Sequence, residues 1–293
     1  MKRHVPTLSI ITLTHNRADL LAKNFASLIG QLHKHDEIIV IDNNSTDHTR
    51  AIISSYKDSL PLRVFHMKTG KYPQLYNAGI RHAKKDIVVF LDDDCIASPT
   101  FMKNVRNAHR KHTNAVIQGM TYSIPNGNIY AEIMGDHYRH FITTNLIGSK
   151  HLRILDNKNA SIPRSLILKL DGFCEKLDCG SEDIEFGIRV RSQGLSILFD
   201  PSIVAYHHER TTYRSFVAQH IRFARCESYL DRIVPKNERI GLVRIPKLTL
   251  QLKSAFLREY RYITQGKVRE AILLPFLYIT LSFVRIYGYI RNI

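Results

Sequence analysis

The sequence predicts an α/β fold: a mostly parallel central sheet flanked by helices, with a helical extension at the C-terminal end. Short apolar runs alternate with helical patterns through residue 120, and the runs are nearly continuous in Val, Ile and Leu. Strands of that kind are covered on both faces, which is the condition of parallel sheets. Polar and acidic residues close several of these runs, at the strand ends where ligands of such sheets bind. Beyond about residue 211 the pattern turns helical and the charge balance turns basic. The chain therefore divides into an α/β domain over 1–210 and a basic, amphipathic helical region over 211–293.

The elements follow in order. Strands are expected at Thr7–Leu13, Glu37–Ile41, Leu62–Phe65, Asp86–Leu91 and Ala115–Gln118. After the first, Leu20, Leu21, Phe25, Leu28 and Leu32 recur at helical spacing, with Asp19 read as the N-cap. Pro73–Ala83 and Pro99–His112 read as helices opened by a proline. Alternation of this kind implies right-handed crossovers between parallel strands. Residues 121–180 are less regular. A helix starting near Ser181 then precedes short strands at Leu195–Phe199 and Ile203–Tyr206.

Composition excludes several classes. Hydrophobic residues at 44% and charged residues at 23% fit neither a disordered chain nor a fibre. The net charge of +16 calls for an anionic partner: nucleic acid, nucleotide phosphates or a membrane surface. The excess is concentrated late, since residues 201–293 hold 16 Lys and Arg against 6 Asp and Glu. A nucleic-acid-binding protein fits poorly, because no zinc-finger or RNP-type motif occurs and the sheet domain has no basic patch with interleaved aromatics. Cys95, Cys174, Cys179 and Cys226, with no C-x-x-C pair, do not make a disulfide scaffold and point to a reducing, cytoplasmic setting. The N-terminal apolar run is short and contains Pro6 and Ser9. It ends in His15-Asn16-Arg17 without a cleavage site, and reads as a buried strand rather than a signal peptide.

Chemistry gathers at the strand ends. The first delivers Thr14-His15-Asn16-Arg17, the second Asp42-Asn43-Asn44-Ser45-Thr46-Asp47, and the fourth Asp92-Asp93-Asp94. Three adjacent carboxylates repel one another unless a cation is present. A hard divalent ion bridging to phosphate oxygens satisfies them, whereas a plain acidic turn before Ser98-Pro99 needs only one acid. Downstream, Ser181-Glu182-Asp183 has two readings. Acids in a first helical turn are favoured by the dipole, and a helix start is equally a place to present a general base. The pair His207-His208 ends a strand and offers one imidazole to a metal.

In their order, Ile10–Arg17, Ile38–Asp47, Asn77-Ala78-Gly79-Ile80, Phe90–Asp94 and Glu182-Asp183 resemble the family 2 glycosyltransferases, over about residues 7 to 210. Asn159–Arg164 followed by Asp171-Gly172-Phe173 resembles the family segment before its base motif. The resemblance implies a GT-A-type nucleotide-binding fold and inverting, metal-dependent transfer of a sugar from a nucleoside-diphosphate sugar to a hydroxyl acceptor. Mn2+ or Mg2+ is the implied cofactor and a UDP-sugar the default donor. A glycan or lipid-linked acceptor, in lipid-linked glycan or surface polysaccharide synthesis, is the expected partner. Carried over by position, Asp92, Asp94 and His207 would hold the metal, with His208 the rival of His207. Thr14, Asn16, Arg17, Asp42, Asn44, Asp92 and Asp93 would line the nucleotide, Asp183 would be the base, and Glu182 would support the acceptor. The chain departs from the family at Leu75-Tyr76, where Ala-Arg often stands, so the donor's cation is open between Lys71, Arg81 and another residue. Gly70 and Gly79 are expected to let the backbone approach the donor. A metal-dependent nucleotidyltransferase or hydrolase would share the acidic strand end, but accounts less well for Asp42–Asp47 and Glu182-Asp183.

In the C-terminal region, Lys247, Gln251, Ser254, Arg258, Arg261 and Gln265 form one polar stripe, opposite Leu248, Leu252, Ala255, Phe256, Tyr260 and Ile263. Ala271–Val284 then runs fourteen residues without a charge and contains Pro275. A bilayer span needs about 20. The combination predicts a peripheral enzyme on the anionic inner face of the cell membrane, with a buried core helix as the alternative.

Overall fold

The computed structural model describes residues 4–148, 150–177, 180–234, 259–260 and 262–290. Its first five strands are β1 (Leu8–Thr14), β2 (Glu37–Asp42), β3 (Leu62–His66), β4 (Ile87–Leu91) and β5 (Cys95–Ala97). The next five are β6 (Val116–Ser123), β7 (Leu146–Ile147), β8 (His151–Leu152), β9 (Asn159–Pro163) and β10 (Ile197–His207). They form one sheet in the order β3-β2-β1-β4-β9-β6-β10-β8-β7, with β5 paired to β10. β1 pairs in parallel with β2 and β4, and β2 with β3, as the apolar runs predict. β6 and β10 are also parallel, but β9 lies antiparallel between β4 and β6. The sheet is therefore mixed beyond β4.

Successive residues of the central strands face opposite layers. Ile11, Ile39, Ile41, Val88 and Phe90 pack on one side with Leu75 and Ile80 of α3 (Tyr72–His82), Leu166 of α6 (Arg164–Lys169), and Phe186 and Val190 of α7 (Glu182–Ser192). Ile10, Ile38, Val40 and Val89 pack on the other with Leu21 and Phe25 of α1 (Ala18–Leu28), Ile53 of α2 (Thr49–Ser55), and Phe101 and Val105 of α4 (Phe101–Lys111). Each large apolar side chain buried this way contributes about 1.5–3 kcal/mol. Beneath β1, the buried Asp36 carboxylate binds the Arg106 guanidinium and accepts the Leu8 amide at 2.9 Å, tying α4 to the first strand.

Several expectations are corrected in detail. Asp19 is not the N-cap of α1; it sits in the first turn, and Asp47 from the β2–α2 loop accepts the Ala18 amide at 3.2 Å. The two late strands are one strand, β10, with a register irregularity between Asp200 and Val204. There Asn159 donates to the carbonyls of Met120 and Ile203, at 3.0 and 3.1 Å, and a Cβ at Gly119 would collide with that side chain and the Ile203 carbonyl. Gly79 serves packing rather than ligand approach, since a Cβ there would stand 2.7 Å from Ile11. Gly70 faces Leu75 in the same way. Cys95 and Cys174 are free, whereas Cys226 is disulfide-bonded, which the cysteine spacing did not lead us to expect.

Two compact units are distinguishable. The first comprises residues 1–124, 139–178 and 182–208, and holds the sheet; the second comprises 125–138, 179–181 and 209–293. In the second, α8 (Tyr213–Ile233) is capped by Thr212, whose side chain accepts the Ser215 amide. Phe216 of α8 packs with Ile133 of α5 (Ile129–Asn145), Tyr262, and Ala271 and Leu277 of α9 (Val268–Ile290). Lys267 binds Glu132 at 2.8 Å. Most of the amphipathic segment expected at 247–265 lies outside the described residues. Among the described residues, no helix is long and apolar enough to cross a membrane.

Candidate active site

From β1 the chain passes to β2 and β3 on one side and returns to β4 on the other, so the sheet order reverses between β1 and β4. Crevices outside the carboxyl ends of strands at such a point are where α/β sheets bind ligands. The ends of β1 and β4 carry Thr14–Arg17 and Asp92–Asp94.

Arg17 Nη1 donates to Asp93 and Asp94, at 2.8 Å each. Its side chain is only partly buried, and the two carboxylates outweigh the cost of that burial and hold it charged. One guanidinium does not neutralise three acids. Burial, then the charge of Asp94, pushes Asp92 up to about 6. Burial likewise lifts Asp93 to about 7, against the pull of Arg17. Asp94 is partly buried, yet His207 and Arg17 overcome the cost of this and hold it well below the usual carboxylate range.

His207, ending β10, brings Nε2 to 3.3 Å from Asp94 Oδ1. Donor atoms of Asp94, His207 and the buried Cys95 thiol all lie within 4.8 Å of one another. Sequence reasoning missed Cys95. His208 is placed differently: its backbone amide donates to the Asp94 carbonyl, and burial and Lys23 lower its imidazole pKa. Asp92 is anchored by the Tyr76 hydroxyl, which donates to it at 2.6 Å. The phenol thus stands in the segment where the family often has Ala-Arg. An uncompensated carboxylate cluster with one imidazole at its edge suits a hard divalent cation.

Asp183 lies in the first turn of α7 and accepts the Ile184 amide at 2.8 Å and the Asn157 amide at 3.3 Å. Burial, then the neighbouring Asp156, raises it to about 7. Asp156 is in turn paired to Lys158 at 2.9 Å, a cation that strand-end reasoning did not single out. Glu182 is buried beside Asp183.

The remaining expected residues are spread along the β1 and β2 ends. Thr14 is buried, and its carbonyl accepts the Asn43 amide at 2.9 Å. Asn16, at φ 52°, accepts the Thr46 amide at 2.7 Å, so its side chain holds the neighbouring loop. Asn44 is exposed, at φ 60°. Asp42 is fully buried, accepting the Ser45 amide and the His66 ring at 2.9 Å each. Of the alternative cations, Arg81 lies 3.7 Å from Glu175 and Lys71 precedes α3. Asn77 is structural, clamping the Phe173 backbone with bonds of 2.8 and 2.9 Å.

The acidic strand end thus lies at the switch point where α/β sheets bind ligands, and a second acid stands at a helix start. The chain belongs to glycosyl transferase family 2, whose profile matches residues 9–170. It is 29% identical to validoxylamine A glucosyltransferase of Streptomyces hygroscopicus subsp. jinggangensis, over 71% of this chain and 57% of that protein. With chondroitin synthase of Escherichia coli it shares 24% identity, over 69% of this chain and 34% of that one. The chain thus spans little more than half the length of the first of these relatives. Its fold is that of GT-A structures. The mannosyltransferase PcManGT of Pyrobaculum calidifontis, solved with GDP-Man and Mn2+, superposes with a TM-score of 0.70 at 18% identity, covering 99% of this chain and 87% of that one. TarS 1–349 of S. aureus, solved with UDP-GlcNAc, gives 0.58 at 17%, covering 97% and 89%.

Proposed function

We propose that the protein is an inverting glycosyltransferase. It moves a sugar from a nucleoside-diphosphate sugar, a UDP-sugar by default, to a hydroxyl of a glycan or lipid-linked acceptor. The observation that carries this reading is the Asp92–Asp94 cluster beside Arg17 and His207, with Asp183 raised to about 7. Asp92, Asp94 and His207 are the side chains that would hold a divalent cation, Mn2+ or Mg2+. When bound, such an ion supplies Lewis-acid stabilisation of the diphosphate leaving group. Arg17 and Asp93 orient that end of the donor. Thr14 and Asn44 border the nucleotide, while Asn16 and Asp42 shape the loop around it. Asp183 takes the proton of the attacking hydroxyl, and Glu182 supports the acceptor side. Single displacement needs no covalent intermediate. The names of the relatives, a glucosyltransferase and a chondroitin synthase, favour sugar transfer and polysaccharide synthesis.

The test is a panel of nucleotide sugars incubated with the full chain and Mn2+, following nucleoside diphosphate release and thermal protection. One donor is expected to be turned over and to raise the melting temperature, with no protection by duplex DNA. Protection by DNA and by no nucleotide sugar would overturn the reading.

We extend the proposal to location, at the cytoplasmic face of the cell membrane. Ile272, Phe276, Ile279, Phe283 and Tyr287 of α9 are 52–70% exposed and, at spacings of four, three, four and four residues, share one face. That face opposes the buried-helix alternative, and Lys267 and Arg269 stand at its N-terminal end. Basic groups near anionic headgroups add about 1 kcal/mol each, and an apolar face inserts at the acyl boundary. Full-length protein should sediment with phosphatidylglycerol-containing vesicles at low salt, and Phe276→Glu with Phe283→Glu should release it. Failure of the unaltered chain to bind such vesicles would rule out this location.

A further inference from the structure

We infer that the His66 imidazole reads the base of the donor nucleotide, with Asp42 as the positioning residue that fixes its acceptor nitrogen. The matching bases are those presenting a ring lactam N–H, uracil or guanine. The inference rests on the glycosyltransferase reading and deepens its donor side.

His66 and Asp42 are register partners at the carboxyl ends of β3 and β2. Their ends lie on the same edge of the sheet as Thr14, since all three strands are parallel. The resemblance assigns Asp42 to the nucleotide, but this carboxylate is not presented to a ligand. It is fully buried, with Oδ1 accepting the Ser45 amide at 2.9 Å and Oδ2 bonded to His66 Nδ1 at 2.9 Å. Burial works to raise Asp42, yet Ser45 and His66 outweigh it and hold the group low, so it is ionised. An ionised carboxylate only accepts, hence the Nδ1 position must donate. In the neutral form of a ring held this way, the lone pair lies on Nε2.

The side chain carrying that lone pair is 53% exposed, whereas its partner is wholly covered. A second imidazole at this edge, His15, does not compete. Its Nδ1 is bonded to the Asn43 carbonyl at 2.7 Å, and its Nε2 lies 3.4 Å from the Asn16 amide. Among the described residues His66 Nε2 has no such contact. What the buried acid does, therefore, is convert a surface histidine into an oriented acceptor. Uracil N3–H and guanine N1–H match it. Cytosine N3 and adenine N1 present a lone pair at the same edge, leaving two acceptors opposed. Sites built to bond an N–H reject analogues that lack it more strongly than apolar pockets reject a change of size.

The test is equilibrium binding of UDP, GDP, CDP and ADP to the full chain with Mn2+, with N3-methyl-UDP and N1-methyl-GDP as probes. UDP or GDP should bind at least about tenfold more tightly than CDP and ADP, and methylating its ring N–H should cost about tenfold, the worth of one well-formed hydrogen bond. In His66→Ala the preferred nucleotide should weaken to the level of its methylated analogue while CDP and ADP are unchanged. His66→Gln, which restores a carbonyl acceptor, should recover part of the difference. Preference for CDP or ADP, equal weakening of all four nucleotides in His66→Ala, or undiminished discrimination there would overturn the inference. If a nucleoside diphosphate binds but ignores His66, only this inference falls. If none binds, the glycosyltransferase reading falls with it.

Discussion

Asp94→Asn is expected to abolish cation-dependent turnover, by on the order of 10³-fold or more, while the protein stays folded. The substitution keeps the shape of the side chain and removes its charge. That charge is the dependable one of the three, because Asp94 is held well below the usual carboxylate range while Asp92 and Asp93 are pushed up to about 6 and 7. It is also the one within reach of His207, at 3.3 Å. Removing it leaves Arg17 with Asp93 alone and gives a cation one carboxylate fewer. Mn2+ affinity measured by calorimetry should fall together with turnover, and circular dichroism should stay unchanged. Full activity in the variant, or in the unaltered protein with chelator, would remove Asp94 from the metal site.

The parts of this site that are legible in the sequence are those built from one local signal. β1, β2 and β4 are nearly continuous apolar runs because both faces are covered, so their ends could be found and Arg17, Asp42 and Asp92–Asp94 with them. β9 was not legible as a strand: Asn159-Ala160-Ser161-Ile162-Pro163 is as long as β4 but lacks its apolar continuity. Its place is secured by tertiary partners, including Ser161, which bonds the buried His109 at 2.8 Å. Tyr76, Cys95 and Lys158 were missed for a related reason. Each is unremarkable in its own segment and acquires meaning only from the acid that folding sets beside it. Asp42 shows the converse. The motif identifies the position correctly as polar and at a strand end. Which group of that neighbourhood is exposed, however, depends on a cross-strand contact 24 residues away.

Asp183→Asn should lower turnover by about 10²–10⁴-fold, the usual worth of a positioned proton acceptor, while donor affinity barely changes because the base acts on the acceptor. The pH dependence separates this role from that of a helix charge. Burial and Asp156 raise Asp183 to about 7, so the proton-accepting form predominates only above that pH. Turnover should therefore fall roughly tenfold per unit as the pH drops below about 7, and the residual rate of the variant should lose the share of that limb due to Asp183, keeping only what protonation of Asp92 and Asp93 contributes. Stability supplies the second arm. A carboxyl whose folded pKa lies above its unfolded value of about 3.9 binds its proton more tightly when folded. Its contribution is present at low pH and is lost as the pH climbs from about 4 through about 7. At pH 8 the asparagine variant, which never ionises there, is expected to melt no lower than the parent. A first-turn acid serving only the helix dipole predicts the opposite: a loss of about 0.3–1 kcal/mol with turnover intact. Melting curves at pH 5 and pH 8, set beside single-turnover rates, distinguish the two. A destabilised but fully active variant would strip Asp183 of its part in the chemistry.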